Sequence, residues 1–208
     1  MDVKRAYNIW ADQYDTNSNK TRDLEAISLQ TTITDIKFEN CLEIGCGTGK
    51  NTEYLLTKAY QITAVDFSGE MLAKARQKIN AANVQFIETD ITDNWAFATK
   101  QYDLITFSLV LEHIENLNDI FKKVANVITD NGYVYVGELH PFKQYTGTKA
   151  RFDTDAGQQI VTCFIHHLSD FAFAAKQNNF EIIDIAEFFD DDDKLQVPRI
   201  ITLLLRKK

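Results

Sequence analysis

Clustered positive charge is scarce in this sequence. Lysine and arginine number 22 against 30 acidic residues, a net charge of −8. The one basic run is the terminal Arg206-Lys207-Lys208. Phosphate backbones are held chiefly by clustered cations, so a nucleic-acid partner is not expected. Cysteine is also scarce: Cys41, Cys46 and Cys163 are too few and too scattered for a disulfide framework or a C-x-x-C metal site. Cys41 and Cys46 are expected in or near the core, and no metal is expected. There is no run of about 18 apolar residues and no apolar leader, which predicts no membrane span and a cytoplasmic location. No repeat or low-complexity linker divides the chain. At 208 residues, 45% of them apolar, a single domain with a full core is the expectation.

What is present is concentrated between Cys41 and Asn51. A short apolar run, Cys41–Cys46, enters Gly45-Cys46-Gly47-Thr48-Gly49, and a helical pattern follows. Alternating glycines between strand and helix permit positive φ and close approach of a ligand to the backbone. The amides that open the next helix offer unpaired donors there. The loop departs from the dinucleotide pattern G-x-G-x-x-G because Lys50 stands where its last glycine belongs. It is not a P-loop either, since no G-K-[ST] occurs. Glu43, two residues ahead of the glycines, would repel a pyrophosphate and attract an ammonium group.

An alternation of strands and helices surrounds this loop. Strands are expected over 41–46, 61–67, 84–91, 102–109 and 133–139. Helices are expected over 49–59, 68–82 and 116–129, the last ended by Asn131-Gly132. Ser68 is the expected N-cap of the second of these. Such an order predicts a doubly wound parallel sheet covered on both faces, with its ligand crevice beyond the carboxyl ends of the strands. Residues 1–36 read as a helical cap over 38–139. Tyr7, Trp10, Ala11 and Tyr14 form one face of its first helix, and Leu24, Ile27, Ile33 and Ile36 the apolar set of its second. The polar connection Asp15–Lys20 between them is expected to be mobile. Residues 140–167 break the rhythm and read as an insertion on the substrate side, with a short strand at 160–165. A helix over 168–177 follows. A closing hairpin over 180–188 and 199–206, joined by a solvated acidic turn at Asp190–Asp193, places one antiparallel strand in the sheet.

Two aspartates stand at strand ends on the crevice side. Asp66 is placed to accept hydrogen bonds from ribose hydroxyls. Asp90 is placed to accept from an exocyclic amine, and Phe67 and Ile91 could sandwich a flat base. Either aspartate alone reads as a helix cap. Glu43, the glycines, Asp66 and Asp90 in succession read as a nucleoside site.

These residues carry a resemblance to the class I S-adenosylmethionine-dependent methyltransferases. Leu42-Glu43-Ile44-Gly45-Cys46-Gly47-Thr48-Gly49 resembles the family's first motif. Val65-Asp66-Phe67-Ser68 with Met71-Leu72 resembles the second, Glu88-Thr89-Asp90-Ile91 the third, and Tyr102–Ile105 leading into Ser108–Ile114 the fourth. The subgroup resembled is the small-molecule one that includes quinone-biosynthesis methyltransferases. The resemblance implies a Rossmann-like sheet of seven strands, order 3-2-1-4-5-7-6 with strand 7 antiparallel. It implies S-adenosylmethionine as cofactor, S-adenosylhomocysteine as product and a small-molecule acceptor. By the same likeness Gly45 and Gly47 pack against the methionine part, and Glu43 supports its ammonium. Asp66 binds the ribose, Phe67 lies beside the adenine, and Asp90 with the Ile91 amide reads its edge. Ser108 lines the cofactor near its sulfonium, and Tyr14 closes over it. The Pro-Pro-Tyr loop of enzymes that methylate planar amines on DNA or amides is absent; the two prolines are Pro141 and Pro198.

The methyl donor is itself reactive, so alignment and water exclusion are the protein's main tasks, and a general base is optional. His140 and His113 are the candidates for one, both beyond strand ends. His113 reads equally as a packing residue, and of the adjacent His166 and His167 at most one faces the cleft. A homodimer is compatible with the sequence. Two other functions remain open: a nicotinamide-dependent oxidoreductase, for which no Tyr-x-x-x-Lys pair is found, and a non-catalytic cofactor-binding module.

Overall fold

A computed structural model describes residues 3–154 and 157–208. In chain order it contains α1 (Val3–Tyr14), α2 (Lys20–Thr32), β1 (Asn40–Ile44), α3 (Lys50–Leu55), β2 (Gln61–Asp66), α4 (Gly69–Lys78), β3 (Val84–Glu88) and β4 (Tyr102–Ser108). There follow α5 (Leu117–Val127), β5 (Ile128–Leu139), α6 (Pro141–Tyr145), β6 (Arg151–Thr154), β7 (Gly157–Ile160), α7 (Leu168–Gln177), β8 (Phe180–Phe188) and β9 (Ile200–Lys207).

Seven strands form one sheet in the order β3-β2-β1-β4-β5-β9-β8. The first five run parallel, and β9 is antiparallel to both β5 and β8. With the small hairpin β6–β7 set aside, this is the expected order 3-2-1-4-5-7-6 of a Rossmann-like fold. Alternate residues of the central strands supply two cores. Leu42, Ile44, Val65, Ile105 and Phe107 pack with α5 and α7 on one face. Cys41, Ile62, Ala64 and Leu104 pack with Leu29 and Ile33 of the α2 region and Leu55 of α3 on the other. Burial on both faces is why these strands read as continuous apolar runs.

Register places the site. Ile44 lies beside Val65 and beside Phe107, and Ser108 beside Gly137. The loops after β1, β2, β4 and β5 therefore leave the sheet along one edge. Ser68 caps α4 as expected, accepting from the Met71 amide at 3.2 Å.

Several boundaries differ from expectation. Helix α5 stops at Val127 because Ile128 is already extended (ψ 143), before Asn131-Gly132 is reached. Asn131 (φ 62) instead sits inside β5, where the β4–β5 register shifts. A Cβ at Gly132 would lie 2.9 Å from the Thr129 carbonyl oxygen, so this irregularity needs its glycine. Ile27 is 56% exposed, on the solvent side of α2. The strand expected at 160–165 is replaced by the hairpin β6–β7, whose second strand ends at Ile160. The polar connection 15–20 is tied down: Asp15 accepts from Thr48 (2.5 Å) and Lys78 (2.8 Å), and the Arg22 guanidinium donates to the carbonyls of Tyr14 and Asn17. The acidic turn is more than solvated surface, because Asp190 accepts two 2.5 Å bonds from Arg199. No helix among the described residues is long and apolar enough to cross a membrane.

Candidate cofactor and acceptor site

The glycine loop leaves β1 with φ of +71 at Gly45, +54 at Gly47 and +82 at Gly49. The amides of Gly45 and Cys46 both donate to the Val65 carbonyl, at 2.8 and 3.0 Å. A Cβ at Gly45 would sit 2.3 Å from Val110 Cγ2, so this turn is closed to any side chain. At Gly47 it would meet only Tyr14, at 4.0 Å, so that face of the loop is open to a ligand.

Asp66, at the end of β2, braces this loop. Its Oδ2 accepts from the Gly47 amide and its Oδ1 from the Ser68 amide, both at 2.8 Å. Each oxygen retains a lone pair for a ligand hydroxyl. Burial pushes its pKa up to about 6 against these stabilising amides. Asp90 lies two residues past β3 in a turn of its own making: Oδ1 accepts from the amide and hydroxyl of Thr92, at 2.8 and 2.7 Å. Its Oδ2 has no such engagement.

Glu43 is buried within β1 and accepts from the Thr52 hydroxyl at 2.6 Å. Burial pushes its pKa up to about 8. Glu25 of α2 faces the same region, accepting from Asn51 (2.9 Å) and the Tyr135 hydroxyl (3.0 Å), and burial raises it as well.

Three cavities meet at this edge of the sheet. The first, ≈ 240 Å³, is lined by Gly45, Gly47, Asp66, Phe67, Asp90, Ile91, Ser108, Tyr14 and His113. The second, ≈ 220 Å³, lies between the α1–α2 cap and the 148–151 segment. The third, ≈ 50 Å³, is lined by Glu43, Glu25, Arg22, Asn51 and the glycine loop. Tyr14 and Leu109 line all three, so the cavities abut at these two side chains, the throat of the proposed site. Every sequence-predicted cofactor residue falls on the first cavity except Glu43, which falls on the third.

Leu109 holds a left-handed conformation (φ 57) without being glycine, which costs on the order of 1–3 kcal/mol. Its surroundings enforce it. The Leu109 amide donates to the Gly137 carbonyl at 2.8 Å, and the next two amides, of Val110 and Leu111, donate to Glu138 Oε1 at 2.9 and 2.7 Å. Burial raises the pKa of Glu138 well above its ordinary range, which favours a neutral carboxyl.

The histidines separate. His113 Nδ1 lies 2.8 Å from the Thr162 carbonyl, which can only accept. The proton is therefore on Nδ1, and Nε2 accepts from the Tyr7 hydroxyl at 2.9 Å. His140 lines none of these three cavities. It is buried, its Nδ1 accepts from the Phe142 amide (3.2 Å), and its Nε2–H donates to Glu187 (3.0 Å). That is a helix cap on α6, with both ring nitrogens committed. His166 and His167 line none of the three cavities either: His166 Nε2–H donates to the Ile114 carbonyl at 2.7 Å, and His167 Nδ1 pairs with the Tyr145 hydroxyl at 2.6 Å. Glu112, His113 and Cys163 present donor atoms within 4.8 Å of one another. They make a poor metal set, because His113 Nδ1–H is spent on Thr162 and burial pushes the Cys163 thiol up to about 12.

Sequence reasoning missed Arg22, Glu25 and Glu138. Arg22 sits over the Tyr14 ring, 3.9 Å from ring centroid to guanidinium carbon. Its buried Nε–H has no partner among the described residues. The only advance signal for Arg22 was an arginine soon after an aromatic-rich helix. Nothing local marked the other two.

Residues 42–136 match the family model described as a methyltransferase domain. An uncharacterized methyltransferase of Emericella nidulans is 27% identical over 89% of this chain and 78% of its own length. A malonyl-[acyl-carrier protein] O-methyltransferase of Bacillus anthracis is 30% identical over 62% of this chain, and the match spans 49% of that protein. Among solved structures, the N-methyltransferase NodS of Bradyrhizobium japonicum in complex with S-adenosyl-L-homocysteine shares the fold, with a TM-score of 0.73 at 15% identity over 99% of this chain and 98% of that one. Family model, fold and the ordered strand-end motifs agree: the chain is similar to S-adenosylmethionine-dependent methyltransferases over its central sheet and shares their fold.

Proposed function

We propose that this protein transfers a methyl group from S-adenosylmethionine to a small-molecule acceptor. The observation that carries the proposal is the throat at Tyr14 and Leu109, where three chambers of different chemistry meet. The first offers acceptors for a ribose and an amine at Asp66 and Asp90 and an apolar wall at Phe67 and Ile91. The third offers acid groups and an arginine, which suits a zwitterion. The second is left for the acceptor.

The residues present fit the cofactor on their own terms. Arg22 Nε–H is a buried polar atom without a partner among the described residues, which is costly unless a ligand completes it. Arg22 would take the carboxylate of the methionine part, and Glu43 and Glu25 its ammonium, directly or through water. Asp66 would take the ribose hydroxyls, and Asp90 and the Ile91 amide the adenine edge. When bound, the cofactor supplies an electrophilic methyl on a sulfonium, open to in-line displacement. The chain's part is to hold donor and acceptor in line at the throat and to keep water out, with Tyr14 and Leu109 as its walls. For an acceptor that must lose a proton, His113 Nε2 on the first cavity is a proton-accepting group, reached through the Tyr7 hydroxyl. The accepting atom, O, N or C, follows from the acceptor.

A nicotinamide cofactor is disfavoured because Glu43 and Glu25 face the space its pyrophosphate would enter. A non-catalytic binding module is disfavoured by the second chamber beside the throat. Calorimetry with S-adenosylmethionine, S-adenosylhomocysteine and NAD tests the proposal. The expected result is binding of the first two and none of NAD; binding of NAD alone would overturn it. The exposed edge strand β8, with Ile182, Ile183 and Ile185 outward, is the face a homodimer would use.

A further inference from the structure

The second chamber differs from its neighbours in charge. Its wall includes Arg22, Lys149, Arg151 and Arg199, with Glu112 as the one acidic residue among the described residues. Such a concentration of cations is unexpected in a chain of net charge −8. They come from three separate parts of the sequence: α2, the segment leading into and opening β6, and the residue before β9. Chance clustering along the chain does not account for them.

The cations are not equally engaged. Arg199 is matched by Asp190 and also donates to Thr21 at 3.2 Å. Arg22 is shared with the methionine chamber. Lys149 and Arg151 stand differently: among the described residues, no carboxylate lies within ion-pair distance of either. Polar groups of Asn19, Thr21 and Thr148 complete the wall. Glu112 does not cancel this field. It is buried, one of its oxygens has no partner, and burial raises its pKa toward the neutral form.

The geometry points to a small acceptor that carries a carboxylate or phosphoryl group, held in the second chamber through that group by Lys149 and Arg151. This rests on the methyl-transfer proposal, because the throat at Tyr14 and Leu109 is what joins the chamber to the cofactor. A low-dielectric, concave wall of one sign concentrates oppositely charged ligands. Guanidinium and ammonium groups together suit an oxyanion of either kind. No histidine lines this chamber. An oxyanion that attacks the methyl carbon needs none: its lone pair forms the new O–C bond, the C–S bond breaks with its pair left on sulfur, and no proton leaves.

The test uses the full chain saturated with S-adenosylhomocysteine, titrated with inorganic phosphate, acetate and the neutral analogue acetamide, and followed by amide chemical shifts. Saturable binding of phosphate, acetate or both is expected, with acetamide silent. Lys149→Gln with Arg151→Gln should weaken that binding at least tenfold and leave S-adenosylhomocysteine affinity within twofold. Phosphate alone binding assigns a phosphoryl group; acetate alone assigns a carboxylate. Equal binding in the double variant, equal binding of acetamide, or no saturable binding of either anion would overturn the inference. Failure of S-adenosylhomocysteine to bind the wild type would instead overturn the methyl-transfer proposal beneath it. Both substituted side chains are exposed, and thermal unfolding of the variant checks that the fold is kept.

Discussion

The site has two halves built in different ways. The proposed cofactor half is made by strand ends: Glu43 near the end of β1 and the glycine loop after it, Asp66 at the end of β2, Asp90 after β3 and Ser108 at the end of β4. Each residue is placed by its own strand, and the parallel register brings the ends to one edge. The proposed acceptor half has no such frame. Its cations Arg22, Lys149, Arg151 and Arg199 reach it from a helix, a loop, a hairpin and the residue before the closing strand. A half built by local backbone is restricted in residue type, while a half built by long-range packing is restricted only in shape and charge. The first should be intolerant of backbone change, and the second should respond mainly to charge.

The sharpest way to break the comparison is Gly45→Ala. Both the positive φ and the 2.3 Å approach to Val110 oppose a methyl group, so a cost of roughly 2–3 kcal/mol or more is expected. It should appear as a lowered unfolding temperature and a loss of S-adenosylhomocysteine affinity of about 100-fold. A variant that bound normally would show that the loop is not built as described.

Asp66→Ala comes next. It removes the acceptor for two loop amides as well as the proposed ribose contact, and calorimetry should show affinity falling about 10- to 100-fold. Unchanged affinity would sink the ribose assignment. Glu138 probes the border between the halves. If the buried carboxyl is neutral, Glu138→Gln keeps an acceptor for the Val110 and Leu111 amides and should cost under about 1 kcal/mol in urea unfolding. Glu138→Ala strands both amides and should cost about 2–3 kcal/mol. Equal costs would contradict the bracing role.

How much of this was legible in the sequence follows from the same division. Order of strands, antiparallel β9, the glycine loop and both aspartates were readable because strand ends and glycines carry their constraint in a few consecutive residues. His140 was selected by the same rule, a titratable group just beyond a strand end. The rule could not see that Pro141 opens a helix there, which turns the imidazole into a cap bonded to Phe142 and Glu187. Arg22 and Glu25 were hidden because their meaning depends on α2 lying across β5 and β9. The conformation of Leu109 was hidden because no glycine advertises it. The turn at Asn131-Gly132 looked like a helix stop and is an irregularity inside β5, since turn chemistry is the same in both settings.

A smaller effect concerns pH. The Glu43 carboxyl is raised from 4.5 to about 8 in the folded protein, so between those values the native state holds a proton that the unfolded chain releases. Its contribution therefore lowers stability as pH rises through about 4.5 to 8, and changes little above 8. An ammonium beside it favours the carboxylate, so binding of S-adenosylhomocysteine should expel a proton and tighten as pH rises toward 8. Calorimetry at pH 7 in two buffers of different ionisation heat should detect that release in the wild type and not in Glu43→Gln. Equal release in both would place the ammonium elsewhere. The smallest effect is expected for His140→Gln. It should lower the unfolding temperature by a few degrees and change turnover less than about twofold, since the ring lines none of the three chambers.

The most direct test is a crystal structure of the chain with S-adenosylhomocysteine. The account predicts the ribose on Asp66, the amino and carboxylate groups in the chamber of Glu43 and Arg22, and the sulfur at the throat between Tyr14 and Leu109, facing the second chamber. A ligand with its amino-acid end toward Asp90, or a sulfur sealed from the second chamber, would contradict it.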